Sequence, residues 1–158
     1  MVNTSTLIKT EEGFRAKPYY CTAGMPTIGY GRVVGKKGDS LPDMTTTPEA
    51  ESEFVEKEIA RLEYKLAGIY PNAWSRCNEA RQAVLVSMAY QLGLSGLAGF
   101  RRMWAAIGES NWTEAARQAL DSKWAKVDSP NRAKRQAEQL ESGLWHPYYG
   151  GKNELVKH

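Results

Sequence analysis

Apolar residues recur at helical spacing through most of this chain, and one early stretch breaks the pattern. Thr4, Ser5 and Thr6 offer N-caps for a short helix carrying Leu7 and Ile8, and Gly13 is placed to end it, with Glu12 in its last turn. From Lys17 to Val34 the composition turns to Tyr, Thr, Ile and Val, punctuated by Gly24, Gly29, Gly31 and Gly35, which predicts a hairpin or small antiparallel sheet. A loop rich in Lys, Gly and Asp runs to Thr46. Thr47-Pro48 then supplies an N-cap with proline at the first helical position, and Val55, Ile59, Leu62 and Leu66 predict a long helix up to Gly68.

The remainder reads as helices. Ala80, Val84 and Met88 stripe one, Phe100, Met103, Trp104 and Ile107 another, and Asn111 with Glu114 resembles a capping box opening a third that carries Ala116, Leu120 and Trp124. Ser129-Pro130 opens a last helix, which Gly143 ends. Pro71 and the helix stops leave short connections, so these helices are expected to pack as one bundle. The fold class predicted is α+β, mainly helical, with a small antiparallel sheet near the start.

At 158 residues and 42% hydrophobic, the chain is long enough to bury one substantial core, or two small lobes sharing a helix, without disulfide or metal. The polar start, Met1 to Thr6, resembles no secretory signal, and no apolar run approaches the roughly 20 residues that span a bilayer. A soluble cytoplasmic protein is the expectation. Cys21 and Cys77 are too few and too far apart for a disulfide framework and are read as free thiols, Cys77 as a small buried hydrophobe near a helix start. No paired-His or Cys-x-x-Cys pattern suggests a metal, no cofactor is expected, and His146 and His158 read as surface residues. The five Trp residues read as core or surface-packing residues rather than sugar platforms.

Charge is unevenly spread. The first 70 residues carry 9 basic and 10 acidic side chains, the rest 12 and 8. The basic C-terminal part would be drawn to a polyanion, but no helix-turn-helix or RNA-binding signature favours nucleic acid. Most of these charges are read as solvating helix faces.

The densest chemistry lies in one run: Glu11-Glu12-Gly13-Phe14-Arg15-Ala16-Lys17-Pro18-Tyr19-Tyr20-Cys21-Thr22-Ala23-Gly24-Met25-Pro26-Thr27-Ile28-Gly29-Tyr30-Gly31. Taken singly, its members are ordinary. Glu12 would be a surface carboxylate at a helix end, as Glu11 beside it shows, and Thr27 a β-branched residue opening a strand.

Together they resemble the active-site segment of the phage-type lysozymes. The likeness continues through Met88-Ala89-Tyr90-Gln91-Leu92-Gly93, Gly96-Leu97-Ala98-Gly99-Phe100, Ser122-Lys123-Trp124 and Pro130-Asn131-Arg132-Ala133-Lys134-Arg135. The resemblance implies a two-lobed lysozyme-like fold in a single domain: a small lobe over 14–46, an inter-lobe helix over 47–67, and a helical lobe over 71–158 together with the first helix, 4–12. It implies an endolysin that hydrolyses the β-1,4 bond between N-acetylmuramic acid and N-acetylglucosamine in peptidoglycan. Such a protein waits in the host cytoplasm as a monomer, without stable membrane association, until a holin lets it into the periplasm.

Glu12 then becomes the proton donor that glycoside hydrolysis needs. The negative end of the helix dipole disfavours an ionised carboxylate there. Cys21 stands where many members carry Asp, and it is read as an anionic group, as a base for water, or as a nucleophile. At an ordinary thiol pKa of about 8.5, only a minority would be ionised at neutral pH. Thr27 offers a hydroxyl suited to holding the attacking water. Gly29 and Gly31 would let a sugar chain approach the backbone. Gln91 offers an amide for an N-acetyl group, with Tyr90 beside it at the cleft, and Lys123, Ser129 and Asn131 border the same region. Arg132 resembles the arginine that pairs with the catalytic glutamate across the lobes. The resemblance also implies inversion at the anomeric carbon. A lytic transglycosylase and a catalytically dead wall-binding or virion structural protein are the competing readings.

Overall fold

The computed structural model describes residues 1–150; His158 and the end of the expected helical lobe lie outside that range. Mostly helical with one small sheet, the architecture is α+β and consistent with a lysozyme-like fold.

Helix α1 (Thr4–Glu12) is capped by Asn3, whose side chain accepts from the Thr6 N–H. The cap therefore lies one residue ahead of the expected Thr4-Ser5-Thr6, and Thr4 is already helical. Leu7 and Ile8 are buried, and α1 packs mainly on α4. As predicted, Gly13 ends the helix, its N–H bonding the Lys9 carbonyl.

Three antiparallel strands follow in the order β1 (Arg15–Tyr20), β2 (Pro26–Gly29) and β3 (Arg32–Val33). The register sets Tyr19 opposite Thr27 and Arg15 opposite Gly29, with an irregularity between Arg15 and Tyr19. Pro18, which has no N–H to give a ladder, falls inside that irregularity of an edge strand.

Helix α2 (Pro48–Ile69) ends one residue past the expected Gly68 and two past the 47–67 span, about 33 Å at 1.5 Å per residue. Its first turns meet the sheet. There Glu51, almost fully buried, accepts a two-pronged bond from Arg32 (2.8 and 2.9 Å) and a third from Thr46 (2.7 Å). The Arg32 guanidinium holds the Glu51 carboxyl below the usual carboxylate range, against the opposing effect of burial, and Thr46 adds to the lowering. The later turns place Val55, Ile59, Leu62 and Leu66 in the helical core.

That core is completed by α3 (Pro71–Arg76), α4 (Glu79–Ala98), α5 (Arg101–Gly108), α6 (Trp112–Leu120) and α7 (Pro130–Ser142), with a π-helical turn over Trp124–Asp128 and a 3₁₀ turn over Pro147–Tyr149. Helix α4 is broken at Gly93 (φ 78°, ψ 162°), five residues past the last position of the expected stripe, Met88. Asn111 caps α6 through the Glu114 N–H, but the Glu114 side chain turns to Arg117 and Gln118, so the box is half formed. Cys77 is buried at the end of α3 and burial pushes its thiol up to about 11. No single described helix is long and apolar enough to cross a membrane.

Candidate active site

Glu12 stands at the end of α1 with its side chain 18% exposed, and Arg132 on α7 donates to its carboxylate at 3.0 Å. The expected pair is formed, though not across the molecule: α1 and α7 both pack on α4, so it closes within the helical part. Contact with the sheet side comes instead from Tyr90 on α4, whose hydroxyl donates to the Tyr30 carbonyl at 2.7 Å. Burial and the nearby Glu12 charge push the Tyr90 phenol upward.

The two glycines expected at the cleft are used by the protein itself. A Cβ on Gly29 would lie 2.5 Å from the Glu51 side chain, and one on Gly31 would lie 3.0 Å from a Glu12 carboxylate oxygen and 3.6 Å from the Tyr90 ring. Both have positive φ, 67° and 93°. Gly31 therefore leaves room for the Glu12 carboxylate, whereas Gly29 is demanded by the buried Arg32–Glu51 pair.

On the sheet side, Tyr19 and Thr27 are direct cross-strand partners, so their side chains share a face, and Cys21 is two residues beyond Tyr19 on that face. Burial raises the Tyr19 phenol, and the charges of Glu12 and Cys21 both add to the rise. Tyr19 thus lies within the field of both groups and directly opposite Thr27.

Cys21 is half-buried. Its N–H bonds the Met25 carbonyl and its carbonyl accepts from Gly24, making a tight turn between β1 and β2. In that turn the backbone N–H of Met25 lowers the thiol most, opposed by partial burial, and the Ala23 and Gly24 backbone and the Thr27 hydroxyl lower it further. The net direction favours thiolate. Thr27 is 2% exposed, and its one hydroxyl proton goes either to the Met25 carbonyl, at 2.8 Å, or to the Cys21 sulfur, so its lone pairs are what it can offer a water.

Other expected site residues fall elsewhere. Gln91 donates to the Ser129 hydroxyl (2.7 Å) and accepts from Trp124 Nε1 (2.9 Å), so both ends of its amide join α4 to the start of α7 and the π-helical turn. An N-acetyl group would have to displace one of these bonds. Lys123 is exposed and pairs loosely with Asp128 at 3.6 Å. Asn131 is exposed on the first turn of α7. Neither is drawn to Glu12.

Sequence reasoning passed over a second carboxylate. Glu11 is 4% exposed at its side chain, bonded twice by Arg135 (2.8 and 3.1 Å) and once by the Tyr149 hydroxyl (2.7 Å). Adjacent glutamates are thus clamped by two arginines one helical turn apart on α7. That i, i+3 spacing of Arg132 and Arg135 was the available signal. Ser87 and Gln136, both fully buried beside Arg132, were also missed.

A model described as phage lysozyme matches residues 9–142. The chain belongs to the phage lysozyme family. It is 28% identical over 145 residues to the pre-baseplate central spike protein Gp5 of Enterobacteria phage T4, an alignment covering 78% of this chain and 25% of that protein. It is 24% identical over 167 residues to a probable T4-type lysozyme 1 of Dictyostelium discoideum, covering 90% and 95% of the two chains. Against an endolysin of Salmonella phage P22 the identity is 32% over 98 residues, 61% of this chain and 65% of the other. The chain spans about a quarter of the length of the spike protein and nearly all of the Dictyostelium relative. As a phage lysozyme family member, the protein has its matched segment running from the last turns of α1 through the sheet to the end of α7, so Glu12, Cys21, Thr27, Tyr90 and Arg132 all lie within it.

Proposed function

We propose that this phage lysozyme family member is a muramidase of the endolysin type, hydrolysing the β-1,4 bond between N-acetylmuramic acid and N-acetylglucosamine in peptidoglycan. Family membership supports a lysozyme-type glycosidase. The observation that carries the finer reading is Glu12, held by Arg132 and facing Gly31 and Tyr90, with Cys21 and Thr27 on the opposing sheet face.

Glu12 in its protonated form donates to the glycosidic oxygen as the bond to the anomeric carbon breaks, leaving an oxocarbenium-like centre. Water then adds to that carbon and loses its proton. Cys21, whose thiol is biased toward the anion by the Met25, Ala23 and Gly24 backbone, supplies negative charge near the centre or takes that proton. Thr27 orients the water through its free lone pairs. Tyr90 and Gly31 shape the wall around the carboxylate, and peptidoglycan is the polymeric partner. In this reading the protein works as a monomer without cofactor, held in the host cytoplasm until a holin opens the way to the periplasm.

The likeness to a spike protein favours a second reading, in which the same domain serves a virion rather than the lysing host. Purified protein added to outer-membrane-permeabilised Gram-negative cells should clear their turbidity. A folded protein that leaves the cells intact would remove the assignment.

A further inference from the structure

Arg132 does not reach Glu12 unaided. Its Nη2 donates to the Ser87 hydroxyl at 2.9 Å and faces the Ser87 carbonyl at 3.5 Å, while its Nη1 holds Glu12. Gln136, one turn along α7, donates to the same Ser87 hydroxyl at 2.7 Å. Both acceptor sites of that hydroxyl are therefore filled, each by a donor from α7. Ser87 is fully buried on α4, and at spacing i, i+3, i+4 it shares a helix face with Tyr90 and Gln91. These three polar side chains join α4 to Arg132, to the Tyr30 carbonyl and to Ser129 respectively.

We infer that Ser87 is a positioning residue for the reaction: its hydroxyl fixes the Arg132 guanidinium in the place from which it holds Glu12 facing Gly31 and Tyr90. The inference rests on Glu12 being the proton donor of the proposed function. Without the hydroxyl, one face of the guanidinium has only a distant carbonyl, and a long arginine regains freedom that loosens its bond to Glu12. A looser bond leaves the Glu12 carboxylate free to turn away from the place where it would meet the glycosidic oxygen.

The test is Ser87→Ala read in two ways. In peptidoglycan hydrolysis, kcat/KM should fall about tenfold in the otherwise natural protein but less than about twofold in an Arg132→Ala background, since a residue acting through another loses its effect when that other is gone. Independently of activity, the ¹⁵N guanidinium signals of Arg132, assigned by their loss in Arg132→Ala, should be resolved in the natural protein and averaged by rotation in Ser87→Ala. If Ser87→Ala fails to fold, adding Gln136→Leu removes the second stranded donor and leaves Arg132 as the group affected. Equal losses with and without Arg132, or Arg132 signals as well resolved in a folded variant as in the natural protein, would overturn the inference. Wild-type protein that hydrolyses nothing would remove the proposed function and leave the Arg132 signals to decide whether Ser87 fixes the guanidinium.

Discussion

The two sides of the candidate site are held by different means. On the helical side, Glu12 depends on Arg132 and Ser87, side chains 120 and 75 residues away in sequence, and only the assembled packing of α1, α4 and α7 brings them together. On the sheet side, Cys21 is conditioned by backbone groups two to four residues away and by Thr27 on the paired strand. The acid is thus a property of the whole fold, whereas the thiol is a property of one turn. Substitutions on the helical side should change stability and activity together, and those on the sheet side should change chemistry while leaving the fold almost untouched.

The largest effect expected is that of Glu12→Gln. A positioned acid contributes roughly 10²- to 10⁴-fold, so turbidity clearing should drop by that order while circular dichroism remains that of the natural protein. Clearing at a near-natural rate would deny that Glu12 is the acid.

Arg132→Ala comes next. It strands Glu12 among groups arranged for a pair that is 10% and 18% exposed, and breaking such a pair costs about 2–4 kcal/mol, at or below the range for fully buried ion pairs and above the ~0–1 of surface ones. Thermal melting should fall by several degrees and activity with it. An unchanged melting curve would place the pair among surface ornaments and erase the contrast between the two sides.

Cys21 substitutions should be milder. Cys21→Asp should keep substantial activity and extend it to lower pH, because a carboxylate is ionised well below any thiol. Cys21→Ala should depress activity without changing the melting temperature. A glycosyl adduct trapped on Cys21 in intact-protein mass spectra, or a folded but dead Cys21→Asp, would make the thiol a nucleophile instead.

The smallest effect is a difference between the two thiols. Alkylation of Cys21 by iodoacetamide should show a pH midpoint below that of an ordinary cysteine, since its folded-state pKa is lowered. Cys77, buried and pushed up to about 11, should resist modification until the protein unfolds. Equal reactivity of both at neutral pH would contradict the local account of Cys21.

Local signals explain what was legible in the chain beforehand. Gly13 as the stop of α1, Thr47-Pro48 as the start of α2 and the glycine-punctuated hairpin all rest on contacts a few residues apart, and they stand as expected. Glu12, Cys21 and Thr27 were picked out by resemblance, and the register of β1 with β2 brings the last two to one face. Glu11 was passed over because its partners, Arg135 and Tyr149, lie 124 and 138 residues away and nothing beside it in the chain marks it as buried. Gly29 was credited to a sugar because the buried Glu51 that requires it belongs to a different element. Gln91 was credited with a free amide for the same reason: its partners on the π-helical turn and α7 appear only when the helices pack.

The central claim, hydrolysis of peptidoglycan with Glu12 as the acid, is tested most directly by mass spectrometry of a peptidoglycan digest made in H₂¹⁸O. The account predicts fragments ending in reducing N-acetylmuramic acid that carry one ¹⁸O, formed by the natural protein and all but lost with Glu12→Gln. Fragments lighter by one water and ending in 1,6-anhydro rings, or labelled fragments formed equally by Glu12→Gln, would contradict it.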